Sequence, residues 1–494
     1  LMPCALGLVS IVVRTGSKDA ALLLRSILDA LLGVGGDVSL RLFASTLAAP
    51  SVSLAANALT NTGEAVAGTV SFGAADESIA RIASLVLDAS ADGTGSGTWT
   101  GGFAGLVSGS GSVVEIGSTE MEASGATIAG AFEIVANNGS MALETIYATA
   151  VGAAAGDASR IVAIGGSIPI SSYASFETTG DFGVTTASGG LIGGPTVFDP
   201  TASISVLSGG TVTIDGDNDA QIGFGGRDLF ISSRDLQILS GARIGAQFLA
   251  LNVIGNDAAT VIGGTGETAG YTLTQAEVAR IEAGSVYFSS SFDGLASDDI
   301  LVRDTTIVGS LDDGPSSVFL QAGGIVRVEG ILAYVDAAQT DEMAISAQRL
   351  EIVTPGGIGI VDPQGRPTGT FSFYGNDFWM ADADTIARLR EEVSFEGRNE
   401  LLATAAEGSA DPLGYLRAGN VFLGVGDSLL VRNTGTAEAP GGITVTGDLS
   451  ISGVEFGSTE GGFSDTGSSI VDLFAYGRRV EEDGSSVTGQ AFFE

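Results

Sequence analysis

Three carboxylates fall in one short turn of the chain. Asp215, Asp217 and Asp219, with Asn218 among them, stand in the segment TIDGDNDAQIG. Oxygen donors at alternating positions suit Ca²⁺, a hard cation that gathers carboxylates, amide carbonyls and water. The turn lacks the downstream glutamate that chelates the ion in an EF-hand, so it reads either as a calcium turn or as a solvated acidic turn between two strands. Gly263-Gly264-Thr265-Gly266-Glu267 has the glycine spacing of a Gly-Gly-x-Gly-x-Asp calcium repeat with Glu in the Asp place. It occurs once, whereas that kind of site is built from stacked copies. The acidic pairs Asp298-Asp299, Asp312-Asp313 and Glu391-Glu392 could serve a glycosidase only at a set separation, and adjacent carboxylates on turns are ordinarily just solvated. None of the arginines falls in a recognisable constellation with an acidic cluster, as a lyase would want.

Other chemistries are excluded by composition. The chain has no histidine, which removes the commonest general base and the commonest metal ligand together. Zinc sites and Ser-His-Asp catalysis go with it. Lys18 is the sole lysine and no Gly-x-x-x-x-Gly-Lys loop occurs, so a phosphate-cradling site is not expected. Cys4 is the only cysteine, so no intramolecular disulfide forms. No catalytic residues and no cofactor are assigned beyond the calcium candidate, and the chain reads as a non-enzyme.

The segments that would position such turns are short strands. Val38-Ser39-Leu40-Arg41-Leu42 and Val52-Ser53-Leu54 alternate with period two, and GTVSF follows at 68–72. Ala91–Gly111, rich in Gly, Ser and Thr around Trp99 and Phe103, reads as a looser loop or wide corner. Between 191 and 260 strands recur as SISVL, TVTI, AQIGF, LFIS, LQIL and FLALNV, separated by two to six residues rich in Gly, Asp, Asn and Ser. That spacing is too tight for βαβ units and suits a coil in which three short strands make one rung of about 20 residues. Rungs then stack about 4.8 Å apart, and glycine supplies the corners.

Short helical phrases punctuate the strands. In GYTLTQAEVARIEAGSVYFSS at 270–290, Thr274 and Glu277 have capping-box spacing ahead of Val278 and Ile281, and the strand-like SVYFS follows. The phrase returns at Ile386-Ala387-Arg388-Leu389 before Val393-Ser394-Phe395, and earlier at Ile79-Ala80-Arg81-Ile82 before Leu85-Val86-Leu87. Asp19–Leu32 has helical spacing ended by Gly33 and reads as an amphipathic helix covering a sheet edge. Thr354–Thr370, with three prolines, reads as a protruding loop. Phe371, Phe373, Tyr374, Phe378 and Trp379 form the densest aromatic group and read as core, with sugar contact as the alternative. The tail 465–494 has a strand-like IVDLFAY.

The 494 residues include 74 glycines, 44% hydrophobic and 16% charged residues. That is too apolar for disorder and too broken for helices. With 58 acidic against 21 basic residues the formal charge is −37, which disfavours nucleic acid and anionic lipid as partners. No uninterrupted apolar run is long enough to span a membrane as a helix. The chain starts at Leu1, not methionine, and reads as a section of a longer protein. Organisation is expected as a terminal cap or docking segment at 1–36, an irregular solenoid at 37–190, regular rungs at 191–378 with the insertion motif at 270–290, and a continuation at 379–494.

GYTLTQAEVARIEAGSVYF, SGARIGAQFLALNV and GGITVTGDLSISG together resemble the filamentous-haemagglutinin-like exoproteins of proteobacteria. The Asn-Pro-Asn-Gly signature of that family's secretion domain does not occur in this sequence. The resemblance implies an all-β, right-handed parallel β-helix (β-solenoid), and to this the residues add short helical insertions and an N-terminal amphipathic helix. It also implies surface display: a secreted adhesin, stalk or filament subunit, extracellular or on the surface of a Gram-negative bacterium. Expected partners are other copies end to end and host or neighbouring-cell glycans. A β-helical carbohydrate-active enzyme, whether a polysaccharide lyase or a tailspike-like depolymerase, and a calcium-dependent surface-layer protein are the alternatives.

Overall fold

Period-two alternation dictates the architecture, because each strand can bury one face only if the next coil of chain covers it. The computed structural model describes residues 9–13, 25–27, 36–60, 63–93, 97–193, 202–217, 224–255, 259–266, 270–290, 299–310, 314–391, 414–431, 442–452, 478–480, 486–488 and 492–493. The fold is all-β, built of long parallel sheets, and solenoid-like. It divides into two compact units, Leu1–Ala250 and Leu251–Glu494.

In the first unit one face is a nine-stranded parallel sheet running from Val9–Val13 through Val38–Phe43, Thr69–Ala75, Phe103–Ser108, Ala131–Asn137, Ser159–Ile164, Phe182–Ala187 and Thr211–Gly216 to Asp235–Ile238. Val38, Leu40 and Leu42 point into the core while Arg41 points out, and the same phase holds down the stack. Each strand gives way to a longer one on a second face: Thr46–Ala55, Ile79–Asp88, Val113–Glu122, Ser140–Ala150 and Ser167–Thr178, all paired in parallel. These longer strands bend in the middle. Leu47 and Ala49 are buried, then Val52 and Leu54; on the next coil Ala80 and Ile82, then Leu85 and Leu87. Two consecutive outward residues at the bend reset the alternation by one.

That reset gives a strand the apolar spacing of a helix. Ile79–Ile82 is not helical; it is the first half of an unbroken strand, and its apolar spacing of three across the bend mimics a helical face. The coils are also longer than the expected rung of about 20 residues, with register partners 23 residues apart from Ser159 to Phe182 and 34 apart from Thr69 to Phe103. The described residues of Ala91–Gly111 form strands Ala91–Gly93, Gly97–Thr100 and Phe103–Ser108. Glycines stack where that excursion closes. A Cβ on Gly102 would lie 2.0 Å from the Gly68 carbonyl oxygen, and one on Gly130 would lie 2.0 Å from that of Gly102. Arg25–Ile27 is a strand beside Ser53–Ala55, where a helix was expected over 19–32; cross-strand pairing overrides local spacing there. The flanking residues 14–24 and 28–35 lie outside the described residues, as do 453–477, which include IVDLFAY.

The second unit has three faces, and here three short strands do make one coil. The chain visits Ile300–Arg303, Thr305–Val308 and Ser317–Gln321, then Ile325–Val328, Ile331–Val335 and Glu342–Ser346, then Arg349–Val353, Gly357–Ile360 and Thr370–Ala381. Each pairs in parallel with its counterpart in the next coil. Thr354–Thr370 therefore contains a strand, Gly357–Ile360, before a turn closed by the Val361–Pro367 bridge. Phe371 and Phe373 are fully buried core residues, as their alternation predicts; Phe378, past a register shift, is fully buried too, whereas Tyr374 is 57% exposed.

Two helices occur among the described residues. Gln275–Val278 follows Thr274, whose backbone N–H and hydroxyl both donate to the Glu277 carboxylate at 2.8 Å. Ala383–Glu391 starts after Asp382, whose carboxylate accepts the Thr385 N–H at 2.8 Å. Gln275 then meets the edge of the five-stranded face. Its side-chain amide accepts from the Thr306 N–H at 2.7 Å and donates to the Thr306 carbonyl at 3.0 Å, substituting for a missing strand.

Candidate functional site

The bend in the first unit's longer strands leaves an open groove of about 740 Å³ along the stack. Its lining includes Pro50, Arg81, Ala83, Glu115, Gly117 and Glu144. Arg81 and Glu115 are register partners on successive coils, joined at 2.8 Å and both well exposed. Just past the lining residues along the same strands, the register sets a column of hydroxyls: Ser51, Ser84, Ser118, Thr145 and Tyr173. Tyr173 packs against Tyr147 with ring centroids 5.6 Å apart, and Tyr147 is 50% exposed. Close by on the same face, Glu122 pairs in register with Asp88. Burial, then the charges of Asp88, Asp92 and Glu120, push its carboxyl above the ordinary glutamate range.

The second unit holds a denser polar cluster. Arg349, Glu351 and Val353 share the outward phase of one strand, and Asp377, Trp379 and Ala381 share that of the next coil. The Ala383–Glu391 helix folds over them. Ile386 and Leu389 pack on Val353, Trp379 and Ala381, and Arg390, one residue on, reaches Glu351. Glu351 is fully buried; it accepts from Arg390 Nε at 2.7 Å and from Arg327 at 3.2 Å, with a further short contact to Arg390 Nη2. This hydrogen bonding holds the Arg390 guanidinium more firmly protonated than usual. Arg349 binds Asp377 at 2.9 Å and lies 3.9 Å over the Trp379 ring. A cleft of about 540 Å³ beside the helix is lined by Leu301, Ile325, Arg327, Glu329, Arg390 and Glu391. Arginines and acids do come together, contrary to the sequence reading. The only signal was the helical spacing of Ile386, Leu389 and Arg390 and the shared phase of Arg349 and Glu351. The partners lie a coil away, beyond local spacing.

The calcium candidates are placed as follows. Asp215 is exposed at the end of Thr211–Gly216. Asp217 accepts the Ser188 N–H at 2.9 and 2.8 Å, fastening a left-handed corner of the preceding coil. Asp219 lies outside the described residues, as do Asn218, Glu267, Asp298, Asp312, Asp313 and Glu392. Among the described residues no group of three or more Asp, Glu or Cys is arranged to hold a metal ion, and no helix is long and apolar enough to cross a membrane. Comparison with known proteins gives no match: no family model, no curated protein and no solved structure matches the chain.

Proposed function

We propose that the chain is a non-catalytic structural and adhesive module of an exported protein, a stalk or filament segment of the filamentous-haemagglutinin-like kind. A right-handed coil is its handedness, because parallel crossover connections adopt that hand almost without exception. One observation supports the reading most: the parallel register persists coil after coil in each unit, and outward charges such as Arg81 and Glu115 answer each other across coils. Stacking of this kind supplies reach and a repeating surface, with each coil supported by its neighbours. Extracellular glycans are the partner class, taken by the groove through Arg81, Glu115 and Glu144, with the hydroxyl column and the tyrosine pair beside it offering further hydrogen bonds and a stacking surface.

A glycan array with the purified chain, run beside a reducing-end release assay on the bound polysaccharides, tests this. Binding without release is expected. Release of reducing ends or unsaturated products would establish the carbohydrate-active alternative. Dissociation of native assemblies by a chelator would establish the calcium-dependent surface layer, with Asp215 and Asp217 as first positions to substitute. Electron microscopy of the native particle separates fibre from lattice.

A further inference from the structure

We propose that the outer face of the nine-stranded sheet in the first unit binds the same face of a second copy of the chain, the two stacks running in opposite directions. The register places one outward residue of each coil in a single column. Arg41, Val107, Val135, Val162, Thr185 and Asp215 stand in it, with Gly73 between the first two. The column is apolar at its middle, cationic at one end and anionic at the other. A two-fold axis parallel to the strands and level with Val135 sets Arg41 of each copy against Asp215 of the other. It also sets Val107 against Val162 beside the axis. A closed dimer requires this kind of self-complementary patch. The neighbouring column is mostly small, with Ser39, Ser71, Gly105 and Gly183, and its two charges, Glu133 and Arg160, are bonded to each other at 2.5 Å. The same axis sets Glu133 opposite its own mate, each carboxylate already bonded to Arg160 of its own copy.

A second copy is the occupant for three reasons. The chain carries −37, so two copies meet with least repulsion across a face whose charges balance. Seven coils at about 4.8 Å and six residues at about 3.3 Å give roughly 650 Å² per copy, or about 1,300 Å² in total, within the range of specific interfaces. Parallel sheets are ordinarily covered on both sides, whereas Val107 and Ile164 on this face are 36% and 37% exposed.

Sedimentation equilibrium of the full chain across the micromolar range tests the proposal. A reversible dimer is expected. Val135→Glu should raise its Kd at least about tenfold while circular dichroism stays unchanged, since Val135 faces outward. Arg41→Asp and Asp215→Arg should each weaken association, and the double variant R41D/D215R should restore it. A monomer throughout the range, or a dimer indifferent to all of these substitutions, overturns the proposal. Failure of the swapped pair to recover overturns the two-fold register. Glycan binding is read separately and is unaffected by either result.

Discussion

Glu351 sits where a carboxylate is hardest to keep, fully buried and dependent on arginines that reach it from the preceding coil and from a helix. Breaking a buried ion pair from one side leaves the remaining charges without partners, and that costs more than the pair contributes. Glu351→Ala should lower unfolding free energy by about 3–5 kcal/mol, read as a shift of the urea midpoint. Arg390→Ala removes one donor of several and should cost nearer 1 kcal/mol. The two variants also differ in kind. Arg390 is the helix's polar attachment, so its loss should loosen the Ala383–Glu391 helix and red-shift the emission of Trp379, now fully buried beneath it. Trp99, the other tryptophan, lies in the first unit, in a separate cluster with Ala58, Ala65 and Ala91, and should not respond. Emission unchanged in Arg390→Ala would show that Ile386 and Leu389 hold the helix alone.

At the scale of elements, two contrasts follow from the stack. Gly102 and Gly73 are both strand-side glycines of the first unit, but only Gly102 has another coil's backbone against its α-carbon. Gly102→Ala should destabilise by roughly 1–3 kcal/mol through overpacking, whereas Gly73→Ala, whose nearest neighbours stand 4.0 Å away, should be neutral or slightly stabilising. The second contrast concerns pH. Because burial and neighbouring carboxylates raise the folded-state pKa of Glu122, the folded chain holds that proton more tightly than the unfolded one. Its stabilising contribution is present below the unfolded value of about 4.3 and is lost as pH rises through the folded one. Glu122→Gln should therefore melt higher than the parent at pH 7, and the difference should vanish below about pH 4. Such stacking was partly legible in the sequence. Alternation at Val38–Leu42 and in the repeated short strands identified the parallel coils, and the capping residues Thr274 and Glu277 identified a helix start. Ile79–Ile82 failed because a bent strand and a helical turn share a spacing of three. The Glu351 cluster failed because its members come together only once coil length is known. The length itself varies, from 23 to 34 residues in the first unit, so no fixed repeat betrays it.

For the molecule as a whole, nearest-neighbour stacking decides how damage spreads. A coil touches the coils above and below it, so stability is close to a sum of local terms and unfolding need not be all-or-none. Hydrogen exchange by mass spectrometry reads this directly. Gly102→Ala should speed exchange in the adjoining strands Thr69–Ala75, Phe103–Ser108 and Ala131–Asn137 while leaving Ile325–Val328 and Arg349–Val353 as they were; Glu351→Ala should do the reverse. Equal acceleration across both groups of strands would mean that the chain opens as one cooperative body. Salt separates the global term from these local ones. A net charge of −37 repels itself throughout the fold, and the screening length falls from about 30 Å at 0.01 M to about 8 Å at 0.15 M. Added sodium chloride should therefore slow exchange in every strand of the parent, and by similar factors in both variants. The exposed Arg81–Glu115 pair contributes too little to reverse the trend. Slower exchange confined to strands that carry acidic neighbours such as Asp88 and Glu122 would instead locate the repulsion in particular coils.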